Sequence, residues 1–306
     1  MNSLFEQALA DIVGADAVVR DEPMSAHTTF RVGGPADYYV TPGSVDDLAA
    51  VIALCREQDV KFHVIGCGSN LLVADAGLRG VVCKIGSRLS SIEVRDDGSI
   101  TAQAGAMNAQ IARAAHEASL TGFEFAAGIP GSIGGAAIMN AGAYDGELKD
   151  VATGVACLTT DGRIERRDAA QAQWGYRRSA MQDDGSIVLS VDLQLQPGDK
   201  EAIRERMAEL AKRRNDKQPL DVPSAGSTFK RPEGHFAGKL IQDAGMQGHT
   251  VGGAQVSTKH AGFVVNIGNA TASDIRQVIE DVQQAVLSQF NVLLEPEVRM
   301  WGFDDE

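Results

Sequence analysis

The chain has 306 residues, which at roughly 150 per domain predicts about two domains and enough length for a packed core. With 28 Lys plus Arg against 41 Asp plus Glu, the formal net charge is −13. That balance argues against a general binder of nucleic acid or anionic membrane, because both need a basic surface, but it leaves room for a small anionic ligand in a local basic pocket.

The opening residues, MNSLFEQALADIVGADAVVRDEP, lack the basic start and apolar run of a signal peptide. Further along, Ser44 is placed to cap a helix through about Glu57, with Leu48, Val51, Ile52 and Cys55 on one face. A second helix is expected from an Asn108 cap through about Ala118. Strand-like runs bounded by Gly, Asp or Ser fall at Phe62–Ile65, Val81–Ile85, Ile92–Arg95, Ile100–Ala104, Val151–Thr159 and Ile187–Leu195. Helices set among such strands read as an α+β fold. A strongly charged helix from Asp199 to about Lys217 follows the Gln196-Pro-Gly turn. The domain boundary is expected there, dividing residues 1–198 from 199–306. The C-terminal part should hold glycine-rich loops, a helix capped by Ser273 and running to about Phe290, and a final strand Glu297–Trp301.

Several function classes fall away. Cys55, Cys67, Cys83 and Cys157 form no CxxC pair and no His lies at ligand spacing, so neither a metal site nor a disulfide framework is expected. Free thiols fit a reducing cytosol. Phe125 to Tyr144 lacks charge, yet its five glycines, Pro130, Ser132 and Asn140 rule it out as a membrane span, so a soluble cytoplasmic protein is expected. Gly234-His-Phe-Ala-Gly-Lys-Leu imitates a P-loop but is one residue short and has no Ser/Thr for magnesium.

Three segments carry chemistry. After the strand Phe62–Ile65 comes Gly66-Cys-Gly68-Ser69-Asn70, which reads either as an ordinary turn or as a phosphate loop; Leu71 denies it the third glycine of a Rossmann fingerprint. Ala127-Gly-Ile-Pro-Gly131-Ser132-Ile-Gly134-Gly135 is a poor helix or strand, and suits a loop lying against a ligand or a buried crossover. Ser224-Ala-Gly-Ser227-Thr-Phe-Lys230-Arg231 places small residues before cations, with Arg213, Arg214 and Lys217 close in sequence. It reads as an anion pocket or a solvated basic patch.

Taken in order, His27-Thr-Thr-Phe-Arg-Val-Gly-Gly-Pro-Ala-Asp37, Gly66-x-Gly-Ser-Asn, Gly128-Ile-Pro-Gly-Ser-Ile-Gly-Gly, Gly175-Tyr-Arg-Arg-Ser179, Ser224-Ala-Gly-Ser-Thr-Phe-Lys-Arg-Pro232 and Glu295-Pro-Glu-Val-Arg299 resemble the UDP-N-acetylenolpyruvoylglucosamine reductase (MurB) family over nearly the whole chain. The absence of a long insertion after Ser190 resembles its shorter subclass without a tyrosine loop. Asp145 departs from the glycine expected after the Ala-Tyr pair. The resemblance implies an FAD domain of the vanillyl-alcohol-oxidase (PCMH) type over about residues 27–195, followed by a smaller α+β substrate domain. It implies non-covalent FAD, NADPH as hydride donor, and a nucleotide-sugar enolpyruvyl substrate of peptidoglycan precursor synthesis, hence a part in cell wall biogenesis, cell shape and division.

In that family hydride passes from NADPH to FAD and then to the vinyl CH2 carbon, so negative charge builds on the adjacent carbon and its carboxylate. By resemblance Arg177 stabilises that charge, Ser227 donates the proton, and Glu297 is the third catalytic group. A carboxylate would repel the developing charge, so Glu297 is expected to act protonated or by orienting Arg177 and a donor. Gly66, Gly68, Ser69, Asn70, Gly128, Gly131, Ser132, Gly134, Gly135 and Asn140 are the candidates for holding FAD. Arg214, Lys217, Lys230, Arg231 and Arg299 are those for the diphosphate and sugar, Arg299 sharing a strand face with Glu297. Two other readings compete: a flavin oxidase or dehydrogenase of small alcohols or lactones, and a nucleotide-sugar sensor without catalysis.

Overall fold

A computed structural model describes residues 3–144 and 146–303. The departure at Asp145 therefore lies outside the described residues. The chain forms two compact units. The first takes the residues up to Val19, then Tyr38–Cys67 and Val81–Arg214; the second takes Arg20–Asp37, Gly68–Gly80 and the chain from Asn215 onward.

In the first unit, five antiparallel strands stand in the order Ile164–Asp168, Ala152–Leu158, Ile187–Gln194, Ser99–Gln103 and Ile92–Val94. A parallel pair, Phe62–Ile65 with the end of Leu78–Lys84, aligns Ile65 with Lys84. The helix Val45–Glu57 begins as the sequence predicts, with the Ser44 hydroxyl accepting the Asp47 N–H at 3.0 Å. Leu48, Val51, Ile52 and Cys55 point into the core, where each large aliphatic side chain stabilises by about 1.5–3 kcal/mol. Burial pushes the Cys55 and Cys157 thiols up to about 11 and raises Cys83 as well, so these three stay protonated and unreactive at neutral pH.

The second unit has its own core around Phe30, Leu72, Phe229, Ile241 and Leu294. Three antiparallel strands, Thr250–Val251, Ala254–Val256 and Val264–Asn266, accompany the helix Ala272–Phe290, which buries Ile275, Val278, Ile279, Val282 and Val286. The strand Arg299–Trp301 runs parallel to Leu71–Val73.

Four expectations need correction. The units are not parted by one cut at 198: the second also takes Arg20–Asp37 and Gly68–Gly80, and the last division falls after Arg214, where the helix Lys200–Lys217 packs Met207 on the first core. Met107, not Asn108, flanks the helix Asn108–Glu117; Asn108 is buried in its first turn. Thr271, not Ser273, caps Ala272–Phe290, its hydroxyl accepting the Asp274 N–H at 3.0 Å, while the Ser273 hydroxyl donates to Asp75 at 2.6 Å. The uncharged stretch from Phe125 contains a seven-residue helix, Ile133–Met139, despite its two glycines. Among the described residues, no helix is long and apolar enough to cross a membrane.

Candidate active site

The first unit gathers the glycine segments that lie far apart in sequence. Gly66 follows directly on the strand Phe62–Ile65, and a Cβ there would sit 2.9 Å from the buried Ser132 hydroxyl oxygen. The two loops thus touch where a side chain would part them. The parallel register places Lys84 at the same strand end, and its ammonium group donates to the Gly66 carbonyl. Burial lowers the Lys84 pKa, with Cys67 acting in the opposite sense, so a desolvated cation stands behind the glycine loop. Sequence reading missed Lys84; the only signal was its position, one strand over from Gly66.

The adjacent glycines of Ile133–Met139 differ in purpose. A Cβ on Gly134 would meet Ala104 Cβ at 2.7 Å, so its absence lets the helix close on its neighbour. Gly135 is exposed, with no atom within 4 Å of the missing Cβ, and presents bare backbone. Gly131 takes a φ of 126°, which only glycine accepts readily. Gly128 lies 3.4 Å from Arg214 Cδ, measured from the Cβ position it lacks. Arg214, expected at the substrate's diphosphate, lies instead against this glycine segment of the first unit; it is half-buried, and burial lowers its pKa while Tyr144 opposes. Bare backbone beside Lys84 and Arg214 fits FAD, whose diphosphate needs close amides and fixed positive charge.

Arg177 sits at the third position of the turn Gly175–Arg178, closed by the Gly175 N–H donating to the Arg178 carbonyl at 3.0 Å. The turn is tied on both flanks to the helix Ile133–Met139. Trp174 Nε1 donates to the Ala137 carbonyl at 2.9 Å, and the buried Ser179 hydroxyl to that of Ile138 at 2.8 Å. Its guanidinium donates to the carbonyls of Asn140 and Gly142 at 3.4 and 3.1 Å. A cavity of about 410 Å³ opens here, lined among others by Tyr144, Glu147, Lys149, Tyr176 and Arg177.

Asn140 has a different place from the one expected. It is fully buried, and its amide N–H groups donate to Glu147 at 2.8 Å and to the Gly175 carbonyl at 2.9 Å, while its Oδ1 accepts the Lys149 N–H at 2.9 Å. Its amide is therefore engaged within the protein on both its donors and its acceptor.

In the second unit, Ser227 is exposed and the next residue, Thr228, is fully buried. The Thr228 carbonyl accepts the Glu297 N–H at 2.8 Å, and its hydroxyl accepts the Val264 N–H at 2.9 Å. With the Lys230 N–H donating to the Glu295 carbonyl at 2.9 Å, two backbone bonds fasten the Glu297 segment to the Ser227 turn. Asn70 Nδ2 donates to the Glu297 carbonyl at 3.0 Å, and the Asn70 carbonyl accepts the Arg299 N–H at 3.0 Å. The amide of Asn70 thus braces Glu297, a role the sequence did not suggest. Gly68 is required by its φ of 60° and by the His27 carbonyl oxygen, 2.0 Å from where a Cβ would stand; Ser69 is half-buried in the turn that follows.

The expected final strand starts two residues late: only Arg299–Trp301 pairs, the chain bends at Val298, and Glu297 precedes the ladder. Glu297 and Arg299 therefore do not share a strand face, and Arg299 is exposed. Lys230 ion-pairs with Glu295, whereas Arg231 stacks on Phe236 at 4.0 Å and donates Nε–H to the His235 carbonyl at 3.2 Å. Lys217 is exposed, and its charge reaches His260.

Comparison with known proteins agrees with this division of labour. Residues 36–168 match the family described as FAD binding domain, and residues 218–301 match UDP-N-acetylenolpyruvoylglucosamine reductase, C-terminal domain. A UDP-N-acetylenolpyruvoylglucosamine reductase from Agathobacter rectalis is 51% identical over 313 residues, covering 99% of both chains. One from Lachnoclostridium phytofermentans is 49% identical over 306 residues, covering 99% of this chain and 98% of its own. The crystal structure of UDP-N-acetylenolpyruvylglucosamine reductase (MurB) from Thermus caldophilus superposes with a TM-score of 0.79 at 33% identity, over 93% of this chain and 98% of that one. A Phl p 4 glucose oxidase variant, 14% identical with a TM-score of 0.50 over 64% of this chain and 44% of its own, shares the fold alone. With half its residues identical to such reductases from end to end, and with both domain matches in their expected places, the chain belongs to the UDP-N-acetylenolpyruvoylglucosamine reductase family.

Proposed function

We propose that this chain reduces the enolpyruvyl group of UDP-N-acetylglucosamine enolpyruvate to the lactyl ether of UDP-N-acetylmuramate, with NADPH as hydride donor. The single observation that carries this reading is the full-length likeness to reductases of that name. FAD, when bound, relays hydride from one substrate to the other. Lys84, Arg214 and the glycine backbones at 66, 131 and 135 would hold it. Arg177 offers a fixed cation where the substrate carboxylate gathers charge. Ser227 gives its hydroxyl proton to the carbon that hydride addition leaves carbanionic. Glu297, braced by Asn70 and Thr228, orients that donor. Lys217, Lys230, Arg231 and Arg299 serve the diphosphate and sugar. The reaction belongs to peptidoglycan precursor synthesis in the cytoplasm, and so to cell wall growth, cell shape and division.

An anaerobic visible spectrum tests the reading: the protein is yellow, NADPH bleaches the flavin band, and the enolpyruvyl nucleotide sugar restores it. A protein that takes up no FAD on reconstitution overturns the flavin assignment; a bleached protein that the sugar does not reoxidise overturns the substrate. Lys84→Met should raise the Kd for FAD by about tenfold or more, since a charge-assisted hydrogen bond contributes about 1.5–3 kcal/mol. Flavin fluorescence quenching measures it, and an unchanged Kd removes Lys84 from the cofactor site.

A further inference from the structure

From the geometry around the Gly175–Arg178 turn we infer that Asn140 and Glu147 are positioning residues for Arg177, an inference that rests on the role proposed for Arg177. The hairpin Gly142–Ala143 with Gly146–Glu147 receives the Arg177 guanidinium on its first strand, at the Gly142 carbonyl, and carries Glu147 on its second. Asn140 stands at the base and ties the hairpin to the turn. One of its N–H bonds reaches Glu147, the other reaches the Gly175 carbonyl two residues before Arg177, and its Oδ1 holds the Lys149 amide.

Three hydrogen bonds on a side chain with no exposure fix this junction, so the turn cannot shift without breaking buried bonds. Arg177 itself is held at a φ of 54°, a left-handed conformation that an L side chain keeps only where its surroundings enforce it. Glu147 completes the arrangement electrically. Burial favours its neutral form, but hydrogen bonds from Lys149 and Asn140 and the charges of Lys149 and Arg177 keep it ionised. Lys149 Nζ lies 2.8 Å from the same carboxylate. The carboxylate therefore draws the guanidinium toward the hairpin and balances two cations in the cavity, so that Arg177 keeps one place beside it.

Glu147→Gln keeps the shape and removes the charge. Its side chain is 28% exposed, so the core is untouched. The expected result is at least a tenfold slower reoxidation of reduced flavin by the enolpyruvyl sugar, seen in kcat more than in KM. The Kd for FAD and the rate of flavin reduction by NADPH should stay within twofold of the parent. Asn140→Asp, which keeps the acceptor for Lys149 but sets a second carboxyl group against Glu147, should do the same, while Glu147→Asp should recover part of the loss. In an Arg177→Ala background, Glu147→Gln should add nothing, because both act through one group. If Glu147→Gln slows reoxidation equally with and without Arg177, or leaves it unchanged in the parent, the positioning role is overturned. If Arg177→Ala alone leaves reoxidation intact, it is the reading of Arg177 that fails instead. Loss of FAD from both the Glu147 and Asn140 variants would make the network merely structural and also overturn the proposal.

Discussion

Ser227→Ala is expected to slow reoxidation of reduced flavin by the enolpyruvyl sugar about 10²–10⁴-fold, the span of a lost general acid, and to leave flavin reduction by NADPH nearly intact. The separation follows from the fold. Ser227 belongs to the second unit, whereas Gly66, the segment Gly128–Gly135, Lys84 and Arg214, proposed to hold the cofactor's charged end, belong to the first. The substitution removes an exposed hydroxyl, and the turn is fixed by the neighbouring Thr228, so thermal stability should change by less than about 0.5 kcal/mol. Stopped-flow absorbance of the two half-reactions, run separately, decides the matter. A comparable slowing of NADPH-driven reduction would move Ser227 from proton donation to nicotinamide or cofactor positioning.

What could be read in the sequence was what depends on neighbours along the chain. The Ser44 cap and the apolar stripe of Val45–Glu57 are local signals, and the structure keeps both. The strand Phe62–Ile65 was legible to the residue because glycine ends it. Motif order supplied the two-part architecture, since each motif keeps its place whatever the packing. The failures share a different cause. The helix Ile133–Met139 defeats propensity because Gly134 answers to a tertiary demand, contact with Ala104 across the core. Lys84 is one strand away from Gly66, and strand register is not written in either segment alone. Asn140 and Asn70 read in their motifs only as ligand contacts; their bracing bonds to the Gly175 and Glu297 carbonyls depend on segments distant in sequence, which no motif shows. The caps assigned to Asn108 and Ser273 erred by one or two residues, where several polar candidates stand together and only geometry chooses among them.

Arg177 allows backbone and side chain to be tested apart. Its φ of 54° costs an L-residue about 1–2 kcal/mol, and glycine would be relieved of that cost. Alanine keeps the strain and loses the guanidinium; glycine loses both. The Arg177→Gly variant should therefore be more stable than Arg177→Ala by about 1 kcal/mol in denaturant melts. Both should slow reoxidation by the enolpyruvyl sugar about 10²–10³-fold, the effect of removing a fixed donor to developing negative charge. Arg177→Lys restores charge without the planar fork that spans the Asn140 and Gly142 carbonyls, so it should recover only part of the rate. FAD affinity should hold in all three. Equal stability of the glycine and alanine variants would mean that the turn relaxes on losing the side chain, and that the guanidinium's own hydrogen bonds impose the left-handed backbone. Full activity in the lysine variant would reduce the requirement to one positive charge, and the two carbonyl contacts of Arg177 would then serve the turn rather than the reaction.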